Sequence, residues 1–210
     1  MLKILGRANS SNVMKVTWAC AEMGLEVERS DIGGEFGGND TPEYLAMNPN
    51  GRVPTIIDGD LVLWESNAIV RYLAAKHDAG GLWPDDLAVR ADADRWMDWQ
   101  QTTIGNPMRD VFWQLIRTPD DKRDMDLVRN GVVAAAAAWR MLDARLADRP
   151  FVAGDRLTMG DIPLCGMIHR WFGIENIPDR PDDMPNLRAW YDRLLEREAF
   201  RIHVSDVPIT

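Results

Sequence analysis

Apolar positions in the first third of the chain switch between short runs and helical spacing. Leu2-Lys3-Ile4-Leu5 reads as a strand that the chain leaves through Gly6 and Arg7. Past the polar cluster Asn9-Ser10-Ser11-Asn12, the residues Val13, Val16, Thr17 and Cys20, with Met14 and Met23, recur at the spacing of one helix face, and Gly24 supplies the stop. Val27 to Asp31 returns to strand character. Strand–helix–strand in this order favours a parallel pair with a right-handed crossover. A glycine-rich stretch, Gly33 to Gly38, is expected to be a mobile loop. Thr41 then suits an N-cap and Pro42 a first helical residue, with Pro49 as the stop. Thr55 to Ile57 and Leu61 to Trp64 flank Asp58-Gly59-Asp60, a hairpin signal, and Ala68 to Ala75 carries helical patterning.

Strand signals end there. The stretch Asp78-Ala79-Gly80-Gly81-Leu82-Trp83-Pro84 reads as a linker. Beyond it Arg90 to Gln101, Leu127 to Leu146, Met159 to Phe172 and Leu187 to Leu195 all show helical spacing, so an all-α bundle is expected. The expected organisation is an α/β unit over 1–78, a linker over 79–88 and an all-α domain over 89–210. Thr158 with Asp161 three residues on is a carboxylate variant of the capping box.

Composition narrows the function classes. The net charge of −9 argues against a nucleic-acid partner, which would need a basic footprint. An anionic ligand would need locally basic residues against that background, and Arg7, Lys15 and Arg52 are the candidates. The two cysteines, Cys20 and Cys165, lie far apart in apolar helical runs, as small core residues do, and such sparse usage fits a reducing cytoplasm. The histidines lack metal-ligand spacing, so no metal is expected. No run reaches membrane length.

The most informative stretch is Asn48-Pro49-Asn50-Gly51-Arg52-Val53-Pro54-Thr55, with Glu65-Ser66 following the next strand. Pro54 stands at a strand start, where no ladder donor is needed, and in the cis form it turns the neighbouring Val53 backbone outward, where it can pair with an extended peptide. Ser66 stands at a helix start, where free N–H groups attract a carboxylate. This layout resembles the glutathione-binding half of the cytosolic glutathione S-transferases, and the Pro54/Glu65-Ser66 and Thr158/Asp161 pairs carry the resemblance across nearly the whole chain. The resemblance implies a thioredoxin-like β-α-β-α-β-β-α domain followed by the helical domain. It implies glutathione as co-substrate, with Val53 pairing its backbone with the cysteinyl residue, Pro54 in cis, Glu65 at the γ-glutamyl amino group, Ser66 at its carboxylate and Arg52 at the glycyl carboxylate. A cytoplasmic homodimer is implied too.

The implied reaction is attack of the glutathione thiolate on a small apolar electrophile. The family places a Tyr, Ser or Cys just after the first strand, and the first twelve residues hold neither Tyr nor Cys. The chain therefore looks like a serine-type enzyme of the bacterial theta-like or nu-like subgroup. Ser10 falls where theta-like enzymes carry the catalytic serine; Ser11 follows it; Asn12 falls where nu-like, disulfide-reducing enzymes carry an amide that contacts sulfur. Plain helix capping is the bland alternative for all three. An apolar pocket between the domains is expected, with Trp99 and Phe112 as its candidates. A glutathione-dependent disulfide or peroxide reductase, or a glutathione-binding regulatory protein with little turnover, are the competing functions.

Overall fold

A computed structural model describes residues 1–210. Its sheet has the order β2-β1-β3-β4, built from β1 (Leu2–Leu5), β2 (Val27–Ser30), β3 (Thr55–Asp58) and β4 (Leu61–Trp64). β1 runs parallel to β2, with Leu2 beside Val27, and antiparallel to β3, with Ile4 beside Ile56. The Gly59-Asp60 turn closes the antiparallel β3–β4 hairpin. Helix α1 (Ser11–Glu22) supplies the crossover, and α3 (Ser66–His77) packs beside it. Ile4 and Ile56 from the sheet meet Val13, Val16 and Cys20 of α1 and Ile69 and Leu73 of α3 in one small core. Between β2 and β3, α2 (Pro42–Met47) is capped by Thr41, whose hydroxyl accepts from Tyr44 N at 3.3 Å. The β-α-β-α-β-β-α order is thus that of a thioredoxin-like domain. Within the glycine-rich stretch, Gly34–Phe36 forms a single 3-10 turn.

Past His77 the chain is helical. Asp86 caps α4 (Leu87–Trp99) by accepting from Ala88 N and Val89 N at 2.8 and 2.9 Å. A wide π turn, Gln100–Ile104, carries α4 into α5 (Gly105–Phe112), and a second, Trp113–Arg117, extends that helix. Then come α6 (Met125–Arg145), α7 (Cys165–Gly173), α8 (Pro185–Leu195) and a short α9 (Glu198–Phe200). Trp139, Trp171 and Trp190 are fully buried, so these tryptophans build the bundle core.

The helix expected from Met159 begins later. A 3-10 turn at Ile162–Leu164 precedes α7, and Pro163 in that turn has no N–H to donate. Asp161 does more than cap. Its buried carboxylate accepts from Thr158 N, Val152 N and Trp190 Nε1, each at 3.0 Å, and so ties the preceding loop to α8. Burial raises its pKa to about 6, against the pull of those donors.

Helix α1 belongs to both domains. Val13, Val16 and Cys20 face the sheet core, while Met14, Trp18 and Ala19 join the large core of the helical domain. Every residue from Val13 to Cys20 is buried as a result. Trp18 meets Phe200 edge to face at 5.0 Å, and Glu22 accepts from Trp18 Nε1 and from Arg197 near the start of α9. At the other end, a Cβ on Gly166 of α7 would lie 2.5 Å from Ser11 Cβ, so only glycine lets α7 approach the first turn of α1 this closely. No helix is long and apolar enough to cross a membrane.

Candidate active site

Three segments converge beside the first turn of α1. The first is the loop before β3, where the Val53–Pro54 peptide is cis. Its shape is held by a polar network. Tyr44 Oη and Asn48 Nδ2 each donate to the Arg52 carbonyl at 2.7 Å, and both also contact Thr55 Oγ1, at 2.9 and 3.1 Å. Asn50 N donates to Asn48 Oδ1 at 3.1 Å. Buried Thr55, Asn48 and Tyr44 therefore fix where Val53 presents its backbone. Gly6 completes the fit: a Cβ there would sit 2.5 Å from Val13 and 3.1 Å from Val53. Arg52 itself is exposed.

The second segment is the start of α3. Glu65 has φ 73°, a left-handed backbone for a non-glycine residue, and makes no capping bond. Such strain persists where the surroundings over-determine it, and it clusters at ligand sites. Ser66, which follows it, is buried, and the N–H groups opening α3 have no capping side chain.

The third segment is the stretch Ser10-Ser11-Asn12. Ser10 occupies the N-cap position of α1, its backbone carbonyl accepting from Met14 N at 2.9 Å, yet its hydroxyl makes no capping hydrogen bond. The side chain is only 9% exposed and has no partner in the protein, so a donor is left uncommitted at a helix N-terminus. Ser11 is half-buried against Gly166. Asn12 is exposed, and its Oδ1 accepts from Ser66 Oγ at 3.3 Å. The starts of α1 and α3 are thereby brought together.

Lys15 lies one turn further into α1 and is 1% exposed. Its Nζ donates to Gln100 Oε1 at 2.8 Å, Asn67 Oδ1 at 3.1 Å and, more weakly, Ser66 Oγ at 3.4 Å. Asn67 Nδ2 donates to the Met97 carbonyl at 2.8 Å. One ammonium therefore ties α1, α3 and the α4–α5 junction together beneath Ser66. Desolvation lowers its pKa from 10.5 to about 8, with the Glu65 carboxylate acting in the other direction. Of the three basic candidates, Lys15 is the one buried under the site, while Arg7 precedes Ser10 and contacts Asn9. Both cysteines are buried, which pushes their thiols up to about 12, so neither offers a thiolate near neutral pH.

The two pocket candidates lie apart. Trp99 meets Trp96 edge to face at 5.1 Å and lines a groove between α4 and α6 with Arg95 and Met141. Phe112 is buried at the end of α5, under the guanidinium of Arg170 on α7.

Residues 1–75 match the glutathione S-transferase N-terminal domain, and residues 125–193 match the C-terminal domain of the same proteins. Over 212 residues the sequence is 42% identical to glutathione S-transferase GstB of Escherichia coli, covering 100% of both chains. The chain belongs to the glutathione S-transferase family. A glutathione-bound crystal structure of the theta class glutathione S-transferase of Xanthomonas axonopodis pv. citri superposes with a TM-score of 0.94 at 47% identity, covering 100% of this chain and 99% of that one. Glutathione S-transferase 3 of Zea mays is 29% identical, over 99% of this chain and 95% of that one.

Sequence reasoning did not find the roles of Asn67, Gln100 and Arg170, and it gave Lys15 only as a source of charge. The available signal was a lone lysine among apolar α1 residues, which fits a helix face only if its charge is buried against partners. The depressed Lys15 pKa has a defined sign. Between about pH 8 and the unfolded value of 10.5 the unfolded chain holds a proton that the folded chain has released, so stability rises with pH across that window. Urea unfolding over this range is expected to show that rise in wild type relative to Lys15→Met. Parallel curves for the two proteins would show that the ammonium is not desolvated.

Proposed function

We propose that this transferase is of the serine type, with Ser10 holding the glutathione thiolate at the N-terminus of α1. The uncommitted, nearly buried Ser10 hydroxyl carries this reading. A free thiol has a pKa of about 8.5, and a hydroxyl donor with helix-end N–H groups favours its anion. The γ-glutamyl carboxylate goes to Ser66 and the N–H groups opening α3, and the γ-glutamyl amino group to Glu65. The cysteinyl backbone goes to Val53 beside Pro54, and the glycyl carboxylate to Arg52. The buried Lys15 ammonium adds positive charge under the γ-glutamyl end. Deprotonated sulfur attacks an electrophilic carbon; the C–S bond forms, the leaving group departs with its electron pair, and the thiol proton goes to solvent. We place the second substrate over Phe112, which leaves Trp99 outside the pocket.

Asn12 supports a second reading. With its Oδ1 held by Ser66, its Nδ2 is free to donate to sulfur, as a disulfide-reducing enzyme would use it. The thiolate would then attack a disulfide sulfur and release the other half as a thiolate. The thiolate absorbs in the ultraviolet where the thiol does not, which separates the readings by titration of bound glutathione. Ser10→Ala is expected to raise its pKa and to lower the conjugation rate about a hundredfold, while Ser11→Ala and Asn12→Ala leave the curve in place. A shift in Asn12→Ala alone transfers the role to Asn12; no shift in any of the three removes all of them from sulfur contact.

The protein acts as a two-fold homodimer in this reading, as a cytoplasmic enzyme. Sedimentation at micromolar concentration is expected to give twice the chain mass of 23.8 kDa, and a species at that mass itself would overturn the dimer.

A further inference from the structure

Most arginines of this acidic chain are engaged. Arg29, Arg71, Arg140, Arg145 and Arg197 hold carboxylates, while Arg90, Arg180 and Arg193 donate to backbone carbonyls. Arg170 and Arg117 do neither. The Arg170 guanidinium lies 3.6 Å from the Phe112 ring centroid, and that of Arg117 lies 5.7 Å from the same centroid. Arg7 is the third member. It stands between β1 and Ser10; its side chain bonds only to Asn9, and its Nε is buried with no partner. Gly34 packs so closely on it that a Cβ there would sit 2.6 Å from that nitrogen.

These three groups sit on one side of the catalytic turn. Gly166 touches Ser11, and Arg170 is four residues on, one turn further along the same face of α7. Arg170 is largely desolvated, and the charges of Arg117 and Arg7 both act on it, bringing its pKa down to about 10. The Glu35 carboxylate acts on Arg7 but forms no ion pair with it. Three like charges, one of them largely buried and none with a counter-ion, are costly to hold together. In the proposed binding mode the carboxylates of glutathione are taken by Ser66 and Arg52, and its thiolate lies at Ser10. The cations on the α5 and α7 side remain without an anion.

We propose that the second substrate is itself an anion: an electrophile bearing a carboxylate, which Arg117, Arg170 and Arg7 clamp over the Phe112 ring beside the thiolate. The inference rests on the transferase reading and replaces the apolar electrophile that the family resemblance implies. Arginine suits the task, since its planar fork meets a carboxylate with two parallel donors and its charge stays on. The clamp turns the electrophilic carbon toward sulfur and selects against neutral analogues that leave the guanidiniums unpaired.

A matched pair of aryl chlorides tests this with the full chain. In chlorodinitrobenzoate and the corresponding chlorodinitrobenzamide, the glutathione sulfur bonds to the chlorine-bearing carbon and chloride leaves with the electron pair of the C–Cl bond. After correction for each compound's rate with free glutathione, wild-type kcat/KM is expected to favour the acid about tenfold or more. The preference should shrink as sodium chloride is added. Arg117→Gln and Arg170→Gln should each bring the acid-to-amide ratio toward one; Arg117 is exposed, so its variant carries the test if Arg170→Gln does not fold. A wild-type ratio at or below one, or a ratio unchanged in Arg117→Gln, overturns the inference and leaves the transferase reading standing. Glutathione bound in calorimetry with neither compound turned over removes that reading and the inference together.

Discussion

A buried ammonium sits where the two domains meet. Lys15 leaves α1, a helix with both faces already committed to hydrophobic cores, and finds its partners on Asn67 of α3 and Gln100 at the α4–α5 junction. Removing such a charge from water costs several kcal/mol unless polar groups surround it. The neutral amides of Asn67 and Gln100 supply those groups only when both domains are closed on α1. The register of the domains is therefore coupled to the satisfaction of one charge. Ser66 and Asn12 are linked to the same knot, so the position of the two helix starts follows from it.

Backbone geometry then concentrates electropositive character in a protein of net charge −9. The first turns of α1 and α3 are joined by the Ser66–Asn12 hydrogen bond, and the partial positive charge of each helix start adds to the charge of Lys15. Close approach depends on two glycines. Gly6 lets Val13 and Val53 touch, and Gly166 lets α7 reach Ser11. These contacts, with the Ser66–Asn12 hydrogen bond, gather the Val53 loop, the start of α3 and the Ser10 hydroxyl around the first turn of α1. The fold alone does not decide the chemistry; the groups on these few turns do.

Much of this was readable along the chain because it is local. Short apolar runs and helical spacing carry the strand and helix order of the first domain, and Thr41 with Pro42 marks α2 by side chains that act within three residues. The all-α character of the second domain followed from the loss of strand signals and from helical spacing over long runs. The start of α7 was misjudged because apolar spacing continues through a 3-10 turn, where Pro163 and the buried Asp161 set the geometry. What was not legible depends on distant pairs. Lys15 and Gln100 are 85 residues apart, Trp190 reaches Asp161 across 29, and no local pattern announces either contact. Trp99 and Phe112 look alike in sequence, yet one lines a groove between α4 and α6 and the other underlies Arg170. Trp18, Trp139, Trp171 and Trp190 are core residues, and nothing in the local sequence separates them from a tryptophan that lines a groove.

In the proposed binding mode glutathione spans from the start of α3 to the start of α1, with its sulfur at Ser10. A crystal structure of the chain with glutathione bound tests that directly. The γ-glutamyl carboxylate is expected on Ser66 and the sulfur within hydrogen-bond distance of Ser10 Oγ. A sulfur placed on Asn12 or Ser11 instead, or a tripeptide lying away from Val53, would contradict it.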